Sequence, residues 1–294
     1  MKRLRELFIL LSLIIGMIPA LSSAQTTGDF HDVEQILGVT GQMQEGAFVV
    51  SFPRSDIRVT IYGETVPTAF GFGSWTAWKK MENEAMVMGD LVLLEKEINP
   101  VISVLAEANI NVTALHNHFL GEKPRIMYMH IHGVGEAKAL ASGIRKALDK
   151  TDTPRSHASS INALPALDTK KIEQIIGHPG RAGGGVFKIT VGRAGVRTHG
   201  MELTSSMGLN SWIAFIGTNE RAHVAGDIAM LANEVNPVIR ALRKHGIKIL
   251  AVHNHMLDEE PRIFFLHYWG TGKPENLAKG FRDALGQMKG PGAK

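Results

Sequence analysis

The sequence predicts an α+β fold of two duplicated units, each an antiparallel sheet with helices packed on it, related by a pseudo-twofold axis. The first observation is a repeat: residues 32–148 match residues 171–285, with a constant offset of 137 from Trp75 and Trp212 onward. The second is that β segments and amphipathic helices follow the same order in both copies. The third is the short polar connector 120–123, which predicts that the strands on either side of it are antiparallel neighbours.

Each unit is predicted to contain a short helix, two or three strands, a strand ending at a Gly-Asp pair, a helix, two histidine-bearing strands and a closing helix. In the first unit these are a helix over 32–37, β segments 47–52 and 57–61, a strand ending at Gly89-Asp90, a helix over 99–108, strands over 112–118 and 124–132, and a helix over 136–148. The second unit begins with the equivalent helix over 169–176. Asn99 is the expected N-cap of its helix, with Pro100 at the first helical position, where the fixed φ of proline is favourable.

The N-terminal segment is typical of a secretory signal peptide. It has a basic start at Lys2, Arg3 and Arg5, an apolar run over residues 7–20, and small residues before an expected cleavage after Ala24. No later stretch is long enough to span a membrane, so we expect a periplasmic or secreted protein with no membrane attachment after cleavage. An uncleaved signal that anchors the chain is the alternative.

The two copies are separated by a segment typical of a linker. Residues 151–165 are rich in Ser, Thr, Pro and Asn and show little apolar periodicity. The expected organisation is a signal peptide at 1–24, repeat unit 1 at 25–150, a linker at 151–167 and repeat unit 2 at 168–294.

The composition excludes several kinds of chemistry. The chain has no cysteine, so it forms no disulfide and offers no thiolate ligand, and any metal must be held by nitrogen and oxygen. The formal charge of +4 includes +2 from the signal segment, which leaves the mature chain near +2. Because this charge is small and evenly spread, we expect no nucleic-acid partner.

A histidine pattern that occurs in both units predicts a chemical site. Two HxH segments on neighbouring strands point several imidazoles to one side, because side chains alternate along a strand. Such a nitrogen cluster is typical of a divalent transition metal, most of all zinc, with bonds of about 2.0–2.1 Å. The expected metal ligands are His116, His118, His130 and His132 in the first unit, and His253, His255 and His267 in the second. The alternative is a hydrogen-bonded network of Asn and His side chains that accompanied the duplication.

The two units differ in their number of histidines. The first offers four, whereas the second offers three and has Trp269 where the fourth would lie. Three histidines and an open position are typical of a catalytic zinc, whose bound water has a pKa of about 7. Four suggest a closed or transport site, unless one of them orients another ligand. We therefore expect the second unit to be the reactive centre and the first to be the tighter binder.

Other recurring polar residues are candidates for the surroundings of such a site. The aspartates follow a glycine at an expected strand end, where they could orient a histidine or act as a base, or simply cap a turn. The glutamates precede a helix start, which favours negative charge, and the arginines could hold an anionic substrate or remain solvated. The catalytic candidates are Asp227, Glu234 and Arg262, and the equivalent candidates in the first unit are Asp90, Glu97 and Arg125.

These motifs carry two resemblances to known families. The doubled HNH followed by PRI and H-x-x-G, the Gly-Asp pair and the Glu-x-Asn-Pro segment resemble the LppY/LpqO family of uncharacterised exported bacterial proteins, which implies an exported location. The spacing of His253, His255 and His267 is similar to that in the acetolactate decarboxylase-like superfamily, where such histidines hold zinc. The flanking glutamate ligands and catalytic arginine of that superfamily have no assigned counterparts here, so its reaction is not transferred.

Three functional hypotheses follow. The first is an exported metal-binding protein that acts as a zinc-dependent hydrolase or lyase on a small anionic substrate, with ester or amide hydrolysis as the first reaction to test. The second is a non-catalytic periplasmic metal-binding or metal-handling module. The third is a domain that binds a peptide, glycan or protein, with structural histidines.

Overall fold

The computed structural model describes residues 26–155 and 166–288. The predicted signal peptide and most of the predicted linker lie outside these residues. Their expected boundaries therefore remain predictions.

Each repeat folds into one large antiparallel sheet with helices, and the two repeats have the same order of elements. The first contains α1 (His31–Leu37), β1 (Gln42–Gln44), β2 (Ala47–Pro53), β3 (Val59–Ile61), β4 (Glu64–Val66), β5 (Gly73–Lys80), β6 (Ala85–Leu94), α2 (Ile98–Glu107), β7 (Asn111–His116), β8 (Glu122–Lys123), β9 (Ile126–Gly135) and α3 (Ala137–Leu148). The second contains α4 (Thr169–Ile176), β10 (Gly180–Gly183), β11 (Val186–Gly192), β12 (Arg197–Thr198), β13 (Met201–Glu202), β14 (Asn210–Gly217), β15 (Ala222–Met230), α5 (Val235–Lys244), β16 (Lys248–His253), β17 (Phe264–Gly272) and α6 (Pro274–Leu285).

The two large sheets have equivalent topologies, which confirms the predicted α+β duplication. Their strand orders are β1-β2-β5-β6-β9-β7 and β10-β11-β14-β15-β17-β16. The histidine strands are antiparallel neighbours, β7 with β9 and β16 with β17, as the short connector predicts. Smaller sheets, β4-β3-β8 and β12-β13, lie outside this framework.

Alternation along the strands separates two buried faces of each sheet. In β9, Met129 and Ile131 pack with the helices of the same repeat, whereas Tyr128 packs with residues of the other repeat such as Ala225 and Trp269. The opposite faces of the sheets therefore meet each other, and the layers run helices, sheet, sheet, helices. Any polar side chain on the facing sides lies in the interior, between the repeats.

Two details differ from the sequence-based expectation. The strand with the Gly-Asp pair does not end there, because the apolar residues that follow continue β6 to Leu94 and alternate between its two buried faces. Asp90 and its equivalent Asp227 consequently lie inside strands, not at their ends. Helix α2 begins at Ile98, before Asn99, because the Glu97 side chain accepts a hydrogen bond from the Leu94 N–H at 2.8 Å and fixes the turn one residue earlier.

Replacement of Gly226 by alanine should destabilise the fold next to Asp227. A Cβ at this position would collide with the Trp212 carbonyl oxygen and the Tyr268 hydroxyl, which are themselves hydrogen-bonded at 2.9 Å. We expect the free energy of unfolding to fall by about 1–3 kcal/mol. Urea denaturation of Gly226→Ala measures this, with Gly183→Ala as control, because a Cβ at Gly183 meets no atom within 4 Å. Equal stability of the two variants would contradict the close approach.

Candidate metal centre

Six of the seven predicted ligands meet in one cluster between the sheets. The ring centroids of His116 and His253 are 3.5 Å apart. The other close pairs also join the repeats, His118 with His267 at 3.7 Å and His130 with His255 at 3.6 Å. In the repeat alignment His118 is equivalent to His255, and His130 is equivalent to His267, so the second and third pairs are equivalent to each other. His116 and His253 are equivalent residues that form one pair. His116 and His253 therefore face each other across the pseudo-twofold axis, and we call these six residues the histidine cluster.

The structure differs here from the expectation of a separate site in each unit. Within one repeat the ring centroids are farther apart, 5.0 Å for His116 and His130 and 4.8 Å for His253 and His267. The reason is that the histidine-bearing faces of the two sheets are turned toward each other. Rings from opposite sheets interleave, so one centre replaces the two that were expected.

Four members of the cluster are placed as a ligand set. One nitrogen from each of His116, His253, His255 and His267 lies within 4.8 Å of the others. A tetrahedral zinc with bonds of about 2.0–2.1 Å needs ligand atoms about 3.3 Å apart. The Nε2 atoms of His253 and His267 are hydrogen-bonded at 2.7 Å, which is closer than that.

The cluster contains buried nitrogen atoms without hydrogen-bond partners among the described residues. They are Nε2 of His116, His118, His130 and His255, and Nδ1 of His267. One oxygen of each neighbouring aspartate, Asp90 and Asp227, is also buried without a hydrogen-bond partner among the described residues. An unsatisfied buried polar atom costs about 1–3 kcal/mol, and native interiors contain few. A metal ion at this place would satisfy the lone pairs of the nitrogens that bind it, and His116, His255 and His267 belong to both the unpartnered group and the ligand set.

The histidines are held in the neutral form that a metal requires. Burial, together with the neighbouring His253, lowers the pKa of His116 to about 3, and burial lowers the pKa of His253 to about 4. Burial and the neighbouring imidazoles keep the pKa of the other four members well below the usual value. Neutral imidazoles offer their lone pairs without competition from protons at neutral pH.

The two aspartates lie directly beside the cluster. In the sheet register Asp90 is opposite His130 and Asp227 is opposite His267, where Asp227 Oδ1 is 3.7 Å from His267 Nδ1. Burial raises the pKa of Asp90 to about 7. Burial, with repulsion from Asp90, raises the pKa of Asp227 well above its usual value. The Asp90 carboxyl group can therefore exchange protons near neutral pH.

The remaining predicted ligand lies apart from the cluster. His132 stacks on His199 from the other repeat, with ring centroids 4.9 Å apart, and burial lowers its pKa to about 4. Its equivalent, Trp269, packs among apolar residues such as Phe70 at 5.9 Å. His199 lies in the turn between β12 and β13 and was not indicated by any spacing in the sequence.

The two glutamate candidates lie in buried ion pairs away from the histidines. Glu97 Oε2 accepts a hydrogen bond from Arg54 at 2.8 Å, and Glu234 Oε2 accepts one from Arg193 at 2.7 Å. Each guanidinium also donates to a strand carbonyl, that of Val92 or of Ala229. The glutamates thus join the start of a helix to a strand edge in each repeat.

The two arginine candidates lie at the surface. Arg125 is exposed. The side chain of Arg262 is 51% exposed, donates to the Leu257 carbonyl at 3.0 Å, and lies 3.6 Å from the Glu259 carboxylate. Neither is among the residues that line the cavity beside the cluster.

That cavity has a volume of about 770 Å³ and opens against the cluster. His118, His130 and His255 line it together with both aspartates, and the indoles of Trp75 and Trp212 contribute from the two repeats. Lys188 also lines it, a residue that the sequence analysis missed. The available signal was a lysine within the apolar run of β11, where the repeat alignment places Val49 in the first unit.

Acid should destabilise the metal-free protein below about pH 6.5. The cluster histidines have lowered folded pKa values relative to 6.5, so the unfolded chain binds more protons and unfolding becomes easier as pH falls. Each of these histidines changes the free energy of unfolding by at most about 1.4 kcal/mol per pH unit. The raised pKa values of Asp90 and Asp227 oppose this effect, because the folded chain retains protons that the unfolded chain loses above about pH 4. The six histidines outnumber these two aspartates.

Urea unfolding at pH 7, 6 and 5 measures how the free energy of unfolding depends on pH. A double variant with His118→Asn and His130→Asn should show a weaker pH dependence. His31→Gln is the control, because His31 is exposed. Stability that stays constant from pH 7 to pH 5 would contradict neutral burial of the cluster.

Fold and cluster together define a duplicated α+β protein with a histidine centre of the metal-ligand type between its repeats. The chain belongs to the family described as Domain of Unknown Function (DUF1259), whose model matches it twice, over residues 31–150 and 170–287. No curated protein has significant sequence similarity to it. None of the helices in residues 26–155 and 166–288 combines the length and apolar character needed to cross a bilayer.

Two solved structures give weak matches. One is the trimeric bacterial microcompartment shell protein PduB, with 12% identity and a TM-score of 0.20, covering 85% of this chain and 92% of that chain. The other is EtuB from Clostridium kluyveri, with 8% identity and a TM-score of 0.21, covering 85% and 91%. TM-scores this low support no inference about function.

Proposed function

We propose that the protein is an exported zinc-dependent hydrolase whose metal is bound between the two repeats. The observation that supports this most directly is the group of buried, unpartnered imidazole nitrogens contributed by both sheets. The ligands would be His116, His253, His255 and His267, whose nitrogens already lie within 4.8 Å of one another. Zinc suits this set, because the chain offers imidazole and carboxylate but no thiolate.

The adjoining cavity supports a catalytic role. A zinc held by three of these four histidines, or expanded to five ligands, would supply Lewis acidity and an acidified water. Asp90, with a pKa of about 7, is the group best placed to give or take a proton at neutral pH, and Asp227 Oδ1 lies 3.7 Å from His267 Nδ1 on the neighbouring strand. His118 and His130 line the cavity and stack on two of the proposed ligands, which fixes the planes of those rings.

Hydrolysis of p-nitrophenyl acetate tests the proposal. The zinc-loaded protein should hydrolyse this ester, chelation should lower the rate at least about tenfold, and added zinc should restore it. A variant with both His253→Ala and His255→Ala should resemble the chelated protein, whereas the control His31→Ala should not differ from the wild type. Turnover that persists in the double variant would exclude this mechanism.

A non-catalytic metal-handling role is the second candidate. It is favoured by the four nitrogens of the ligand set, because four protein ligands leave no open position on a tetrahedral ion. Transfer of zinc to a fluorescent chelator distinguishes the two roles. A carrier should release its ion within minutes and show no esterase activity, whereas the enzyme should retain it. Protein that binds no metal at all would favour a role in binding a peptide, glycan or protein.

The proposed location is the periplasm or the exterior of the cell. It rests on the basic and apolar segment 1–24 and on the motifs that resemble the LppY/LpqO family. N-terminal sequencing of the protein from cell fractions should find a new terminus at Gln25. An intact Met1 in the cytoplasmic fraction would contradict it.

A further inference from the structure

One basic side chain lies inside the cavity beside the histidine cluster. Lys188 is on β11, and its Nζ is 4.0 Å from the centroid of the Trp212 ring. This ammonium makes no hydrogen bond and no ion pair of 4.0 Å or less with any described residue. Lys188 is half-buried, and beyond the Trp212 ring its three donors are open to the cavity, where water or an anionic ligand can supply acceptors.

The charge of this lysine persists near neutral pH. Burial lowers the pKa of Lys188 to about 8, and attraction to Asp227 limits the decrease. Asp90 and Asp227 also line the cavity, but no ion pair of 4.0 Å or less joins either carboxyl group to Lys188. The ammonium of Lys188 therefore faces the cavity without a direct carboxylate partner among the described residues.

The duplication leaves this charge on one side only. Lys188 pairs with Ala214 in the second sheet, and its equivalent Val49 pairs with Ala77 in the first. Among the described residues that line the cavity, Lys188 is the single lysine or arginine. A ligand would consequently meet a lysine at one repeat and a valine at the equivalent position of the other.

We propose that this cavity binds a small monocarboxylate with a flat apolar body, whose carboxylate pairs with Lys188 and whose body packs on the indoles of Trp75 and Trp212. A single ammonium suits one carboxylate, whereas a phosphate dianion is usually held by several N–H donors. The volume of about 770 Å³ is within the range of small-ligand pockets. Such carboxylates would be the substrates of the proposed hydrolase. Only this catalytic part of the inference rests on the proposed function, and the binding of the carboxylate does not.

Calorimetric titration with phenylacetate and its neutral analogue phenylacetamide tests the inference. The wild type should bind phenylacetate about 10- to 100-fold more tightly, which is the usual effect of a hydrogen bond to a charged group. Lys188→Met should lose this preference, and Lys188→Arg should retain most of it. Val49 shows that the equivalent strand position accepts an apolar side chain. The control is Lys170→Met, because Lys170 is exposed.

The same titrations on metal-free protein separate this inference from the proposed function. A preference that depends on Lys188 and persists without zinc supports the inference even if no zinc is bound. A preference that appears only with zinc and survives in Lys188→Met overturns it, because the carboxylate then binds the metal, and the proposed function stands. Equal affinity of the wild type for the two compounds also overturns it.

Discussion

Either His116→Ala or His253→Ala alone is expected to remove the bound metal from the whole molecule, although the two residues belong to different repeats. Both contribute a nitrogen to the ligand set, and their rings face each other at 3.5 Å across the pseudo-twofold axis. Loss of a ligand should weaken zinc binding by at least about 100-fold, since even partners outside the coordination sphere change affinity 10- to 100-fold. Elemental analysis of tag-free protein measures the stoichiometry, which we expect to fall from one zinc per chain to almost none.

This pair of variants distinguishes a shared centre from two separate ones. Independent sites in the two repeats would leave half of the metal in each single variant. The matched control is His31→Ala, which removes an exposed imidazole on α1 that bonds Gln35 at 3.0 Å. Half-stoichiometry in both variants would refute the shared centre.

Arg193→Met should cost the protein about 3–5 kcal/mol of unfolding free energy. The change leaves the carboxylate of Glu234, which is 1% exposed, without the guanidinium that pairs with it at 2.7 Å. Removal of one partner from a buried ion pair is costly because the other charge stays in the interior. Urea denaturation measures the loss, which is a large part of the total stability of an ordinary domain.

An exposed pair provides the control for this variant. Lys96 and Asp152 are 3.4 Å apart with side chains 70% and 72% exposed, so Lys96→Met should leave stability nearly unchanged. A combined Arg193→Met, Glu234→Met variant should recover part of the loss, since it removes both charges. A loss below about 1 kcal/mol for Arg193→Met would contradict the structural role of this pair.

The repeat and most helices could be predicted from the sequence because they depend on local patterns. The helix predicted over residues 169–176 is confirmed as α4, which ends where Gly177 adopts a left-handed conformation with φ of 85°. The Gly-Asp pair was misleading because glycine followed by aspartate is also typical of turns. The apolar residues after Asp90 continue the strand to Leu94, so the Gly-Asp pair is not a turn here.

The histidines could be predicted from the sequence, but their meeting point could not. A spacing of two places His116 and His118 on one side of their chain segment without indicating what that side contacts. The partner rings come from 137 residues away, and only the packing of sheet on sheet brings them together. For this reason the sequence predicted one site in each repeat, whereas the structure places the histidines of both repeats in one cluster.

The roles of the charged residues needed the structure for a similar reason. Glu234 and Arg262 recur in both repeats just as the histidines do, yet one lies in a buried ion pair and the other lies at the surface. Recurrence reports shared ancestry and does not distinguish these environments. Lys188 does not recur, and its position at a cavity became evident only from the packing around it.

Anomalous diffraction at the zinc absorption edge from crystals of the zinc-loaded protein tests the central claim most directly. We predict one principal peak between the repeats, about 2.0–2.1 Å from nitrogens of His116, His253, His255 and His267. Two peaks, each held by the histidines of a single repeat, would contradict the shared centre. The absence of a peak at the cluster would contradict metal binding there altogether.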